Sequence, residues 1–114
     1  MSIDTRLQLI TSGDMSGNIT STAVTSVTDS AMVEFAIVTG TPTGSLAVQG
    51  SVSETNYRAL PLSGVDGTVS ESITISGAAA THLVRVTDVR DIVRLRLVYT
   101  ATSGTGTADA WISQ

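Results

Sequence analysis

Apolar and polar residues alternate with a period of two along most of the chain, in windows rich in Val, Ile and Thr. In "MVEFAIV" Val33, Phe35 and Ile37 share one face of a strand, with Met32, Ala36 and Val38 on the other. In "GSLAVQGSV" Leu46, Val48 and Val52 line up opposite Ala47, Gln49 and Ser51. The same pattern predicts strands over Ile3 to Ile10, Ile19 to Val27 with a break inside it, Tyr57 to Leu62, Val69 to Ile75, His82 to Val86 and Ile92 to Thr100. No segment carries apolar residues at helical spacing over three turns, so the chain reads as all-β. Between the runs, "TSGDMSGN", "TGTPTG", "LSGVDG" and "ISGAAA" are turn chemistry. Turns about every ten residues imply roughly seven to nine short strands, which favours an antiparallel sandwich, jelly roll or small barrel over a parallel sheet with crossover helices. No repeat or linker interrupts the pattern, and residues 1–114 are expected to form a single domain.

The end of the chain, "DIVRLRLVYTATSGTGTADAWISQ", predicts a hairpin. Val93, Leu95, Leu97 and Tyr99 form one face of the outgoing strand, and Arg94, Arg96 and Val98 the other. On the return, Ala108, Ala110 and Ile112 alternate with Asp109, Trp111 and Ser113. A turn on Ser103-Gly104 with Leu97 opposite Ala110 puts both apolar rows on one side. That register places Trp111 opposite Arg96 on the outer face, where a guanidinium can stack on the indole. Such a tryptophan serves either as an interface anchor or as a cover for the sheet edge.

Composition narrows the chemistry. With no cysteine, thiol catalysis, disulfides and thiolate metal sites are excluded. There is no signal-peptide pattern and no apolar run near the length of a membrane span, so membrane insertion is not expected. Ten acidic residues against six basic ones, all of them Arg, argue against generic binding to nucleic acid. Only 14% of residues are charged and none is Lys, a surface suited to a subunit packed among neighbours or to a merely polar β-domain.

Candidate catalytic groups are sparse. His82 is the single histidine and no spacing selects a nucleophile for it, nor can it build a zinc site without other strong ligands. The carboxylates Asp14, Asp29, Glu54, Asp66, Glu71, Asp88, Asp91 and Asp109 fall mostly in or beside turns, and Asp66 in "VDGT" lacks the acidic run of a calcium loop. The arginines of "LVRVTDVRDIVRLRLVYT" are partly neutralised by Asp88 and Asp91, as on a salt-bridged sheet face or a protein interface. No phosphate-cradling motif occurs. No cofactor, metal or enzymatic activity is expected.

The segments "TGTPTGSLAVQGSVSETNYRALPL" and "DIVRLRLVYTATSGTGTADAWI" resemble small bacteriophage virion proteins, over about two-thirds of the chain. The matching positions are Gly44, Leu46, Val48, Ser51, Tyr57 and Leu60, then Val93, Arg94, Leu95, Tyr99, Thr100, Ser103, Gly104, Gly106, Thr107, Ala110 and Ile112. The chain departs from that pattern at Tyr57, often Trp in such proteins, and in the strand ending at Val38, which lacks a Trp. The resemblance implies a jelly-roll-like β-sandwich of about eight strands, located in the virion as a capsid decoration, cement or spike subunit.

The expected mode of action is oligomeric surface burial. Arg94, Arg96, Val98, Trp111, Met32 and Tyr57 are the candidate interface residues, because outward-facing apolar side chains rimmed by arginines suit an association surface. The implied partners are further copies of the chain, with a trimer favoured, and the major capsid protein or other virion subunits. The alternative is a carbohydrate-binding module of a phage tail or cell-surface adhesin, with Tyr57 and Trp111 as its sugar platform.

Overall fold

The computed structural model describes residues 6–26, 31–63, 69–77, 80–86 and 92–114. Within them the chain forms β1 (Leu7–Asp14), β2 (Ile19–Thr20), β3 (Val24–Thr25), β4 (Ala31–Gly40), β5 (Thr43–Ser51), β6 (Arg58–Ala59), β7 (Leu62–Ser63), β8 (Val69–Ser70), β9 (Ile73–Ser76), β10 (Thr81–Val86), β11 (Arg94–Ser103) and β12 (Gly106–Ser113). Every pairing is antiparallel. One sheet runs β1-β12-β4-β10-β7-β8; the other runs β2-β11-β5-β6, with β3 also on β11 and β9 also on β5.

This order is a jelly roll. β2 and β3 lie end to end along β11, against Val98–Tyr99 and Arg94–Leu95, and count as one interrupted strand. β9 and β6 likewise divide the free edge of β5 between them. The second sheet then has four strand positions; the first has β1, β12, β4 and β10, extended at its β10 edge by the two-residue strands β7 and β8, and the first and last strands, β1 and β12, lie side by side in it. The break expected inside Ile19 to Val27 falls at Ser21–Ala23. There Ser21 replaces the missing ladder, its N–H donating to Leu97 O at 2.9 Å and its Oγ accepting from Leu97 N at 2.8 Å. The expected strands 57–62 and 69–75 also divide, into β6 with β7 and β8 with β9. The start of the expected first strand, together with Val27, Asp29, Asp66, Asp88, Arg90 and Asp91, lies outside the described residues.

The terminal hairpin does not form. β11 pairs with β5, Leu97 opposite Val48, whereas β12 pairs with β4 and β1, Ala110 opposite Phe35 and Ile10. The chain at Ser103–Gly106 crosses from one sheet to the other, as it also does at Gly40–Thr43 between β4 and β5. The two crossings lock together: Thr41 N donates to Thr105 O at 3.0 Å. Gly40 (φ +86°) lies on the Thr105 carbonyl and Gly104 (φ +81°) on the Thr41 carbonyl, so a Cβ at either would strike backbone. A turn rich in Gly and Thr therefore builds a corner here, and the apolar rows of β11 and β12 face each other across the core instead of lying side by side.

The inward rows are as the alternation predicts. Val33, Phe35, Ile37, Leu46, Val48, Leu95, Leu97 and Tyr99 are all buried in one cluster with Ala108, Ala110 and Ile112. Each large aliphatic side chain of this kind contributes about 1.5–3 kcal/mol by leaving water. Phe35 and Tyr99 meet between the sheets with ring centroids 6.1 Å apart and planes inclined by 22°. Two expectations fail: Val52 is exposed because β5 ends at Ser51, and Val93 precedes β11 and is also exposed. Met15, inside a turn-like stretch, is fully buried, held by its N–H to Gly106 O at 2.9 Å.

Candidate functional site

The six candidate interface residues divide between opposite sides of the sandwich. Arg94, Arg96 and Val98 project from β11 on the outer face of the second sheet, and Tyr57 joins them from the β5–β6 connection. Met32 and Trp111 project from β4 and β12 on the outer face of the first. Trp111 is therefore not opposite Arg96, and Tyr57 and Trp111 cannot form one sugar platform. The two groups are apart because β11 and β12 belong to different sheets and do not form a hairpin.

On the second sheet the arginines are already engaged. The Arg96 guanidinium lies 3.8 Å from the Tyr57 ring centroid, and its Nε donates to Gln49 Oε1 at 2.8 Å from the neighbouring strand. Arg94 donates to Thr25 Oγ1 at 2.6 Å and pairs with Glu54 Oε1 at 2.7 Å. Glu54 sits at positive φ (69°), its N–H bound by the buried Ser51 Oγ at 2.9 Å, which aims its carboxylate at Arg94. Thr43, Ser45 and Ala47 of β5 and Val98 of β11 complete this face with small, half-buried side chains.

On the first sheet the register sets a row across four strands: Gln8, Trp111, Glu34 and Leu83. A second row holds Ser113, Met32 and Arg85. Between the rows lies an open depression of about 420 Å³ lined by Arg6, Met32, Glu34, Leu83, Trp111 and Ser113. Trp111 is 36% exposed and Leu83 47% exposed. The cation over the indole is Arg6, at 6.0 Å from the centroid, rather than Arg96. The outward parity of Glu34 follows from the inward Val33, Phe35 and Ile37, whereas the outward position of apolar Leu83 and the convergence of both with Arg6 and Trp111 depend on pairings between distant strands.

Of the other polar candidates, Asp109 and Asp14 each accept a backbone N–H. Asp109 Oδ1 accepts the N–H of Ser12 at 2.7 Å, fastening a bulge of β1 where Ser12 has φ +47°. The Asp14 carboxyl is held below the usual carboxylate range by the backbone N–H of Ser16 at 2.9 Å and by its hydroxyl. His82 is the second residue of β10, half-buried opposite Phe35. Among the described residues no cluster of His, Asp or Glu is arranged to hold a metal. Burial raises the Tyr99 phenol above its ordinary range, and its hydroxyl is buried with no hydrogen-bond partner among the described residues.

No family model matches the chain, and no curated protein does so either. Among solved structures, the crystal structure of the SPBc2 prophage-derived protein YomS is similar over 100% of this chain and 97% of that one, with a TM-score of 0.67 at 9% sequence identity. At that identity the likeness is one of fold: the whole jelly-roll sandwich, end to end, is shared with YomS.

Proposed function

We propose that the protein is a bacteriophage virion structural subunit, a capsid decoration or spike protein that acts through oligomeric surface contacts and not through catalysis. The observation that carries this reading is the outer face of the second sheet. It carries the small, half-buried side chains Thr43, Ser45 and Ala47 beside Val98, and its two arginines are held by partners on their own side of the sandwich. Burying such a face costs little side-chain entropy and leaves no guanidinium unpaired, whereas free, long side chains would have to be ordered on association. The fold shared with a prophage-derived protein and the resemblance of the two sequence segments to virion proteins support the phage setting. The partners are further copies of the chain, with a trimer suited to the local symmetry of an icosahedral shell, and the major capsid protein or neighbouring virion subunits.

Light scattering across a dilution series tests the oligomer, and mass spectrometry of purified virions tests the location. The expected result is a concentration-dependent trimer that Val98→Asp converts to a folded monomer, with the wild-type chain present in the particle. A monomer at high concentration together with absence from virions would reject the reading.

A further inference from the structure

We infer that Arg96 is the point on the outer face of the second sheet where a carboxylate of another copy of the chain docks. The inference rests on the oligomer proposed above and deepens it. Of the two arginines on that face, Arg94 is neutralised within its own chain, and Arg96 is neutralised only when a neighbour adds an Asp or Glu.

Arg94 and Arg96 occupy alternate positions of β11 and differ in what holds them. Arg94 has an anion of its own, Glu54 Oε1 at 2.7 Å, besides Thr25 Oγ1 at 2.6 Å. Arg96 meets only neutral groups: the Tyr57 ring, 3.8 Å away at its centroid, and Gln49 Oε1, which accepts from Nε at 2.8 Å. These contacts fix the guanidinium without neutralising it. With Nε taken, the end-on edge of the fork, one N–H from each terminal nitrogen, remains for a bidentate partner. Burial does not seal those nitrogens off, since among the described residues the only buried side-chain polar atom without a partner is the Tyr99 hydroxyl.

Two parallel N–H donors that carry a full charge select a ligand with two acceptor oxygens and the opposite charge. A carboxylate supplies both, whereas a hydroxyl or a backbone carbonyl supplies neither. The stack on Tyr57 and the hydrogen bond to Gln49 already restrict the long side chain, so docking has little more of it to order. Composition points to the occupant. The chain carries ten acidic residues against six basic ones, so every copy brings more carboxylates than its own arginines can neutralise.

The chain has no lysine, so Arg96→Lys introduces its single side-chain amine. In the experiment these chains are mixed as a minority into wild-type chains, so that the oligomer survives the substitution, and are treated with a zero-length carbodiimide before peptide mapping. The expected product is an amide between chains, from position 96 to an Asp or Glu, with none from Arg85→Lys on the opposite sheet. In light scattering, Arg96→Gln should move the dilution midpoint of the oligomer to about tenfold or more higher concentration. Added salt, which screens ion pairs, should weaken the wild-type oligomer more than that of Arg96→Gln. An Arg96→Gln protein that follows the wild type in dilution and in salt, coupling confined to one chain, or equal coupling from positions 85 and 96 would overturn the inference and leave the oligomer standing. A wild-type chain that is monomeric at every concentration would reject the oligomer itself, and the inference with it.

Discussion

Tyr99 shows how a single side chain can be both central to the core and a cost to it. Its ring fills the space beside Phe35, yet its hydroxyl is buried without a partner among the described residues. An unpaired buried hydroxyl costs about 1–3 kcal/mol, so Tyr99→Phe should leave the melting temperature unchanged or raise it. The same burial disfavours the phenolate in the folded state and lifts the phenol above its ordinary value. At pH below about 10, the ordinary phenol range, both states keep the proton and stability does not depend on this group. Above it the unfolded chain ionises first, so stability falls as pH rises. Denaturant melts between pH 8 and 11 should show this loss in the wild type and a smaller one in Tyr99→Phe; parallel curves would contradict the assignment.

Two corners, rather than any one strand, decide how the elements are arranged. Gly40 and Gly104 adopt backbone angles that L side chains rarely take, and each lies against the carbonyl of the opposite corner. Strain and collision combine in Gly40→Ala and Gly104→Ala, so each should destabilise by about 1–3 kcal/mol or more. Gly17→Ala, where a Cβ would meet open space, should be nearly neutral. Comparing the three by chemical denaturation checks the role of the corners, and equal stability for all of them would refute it.

Across the whole molecule, the long ladders join residues far apart in sequence: β1 with β12, β4 with β12, and β5 with β11. Loop closure must precede the reward of each of these contacts, which makes folding slow for the chain's size. Stopped-flow refolding is expected on the scale of roughly milliseconds to seconds. Complete refolding within about 100 microseconds would mean that local hairpins nucleate the fold, against the observed pairing.

The division between what was legible in the sequence and what was not follows the range of the forces involved. Side-chain alternation is local, so the inward rows of β4, β5 and β11, the outward parity of Met32, Glu34 and Trp111, and the all-β class could be read residue by residue. Strand ends were less legible, because β5 stops at Ser51 where backbone pairing stops, and no change in composition marks that point. Partner choice was not legible at all. Residues 103–107 suit a hairpin turn or a corner between sheets, and either arrangement buries Leu97 and Ala110. Period two says which face of a strand is apolar but not whether the next strand lies beside that face or across from it. The interlocked glycine corners resolve the choice by letting the β11 and β12 rows pack against each other through the core. That crossing alone sent Arg96 to Tyr57 and Trp111 to Arg6 and Glu34, and so produced two separate surfaces where the sequence suggested one.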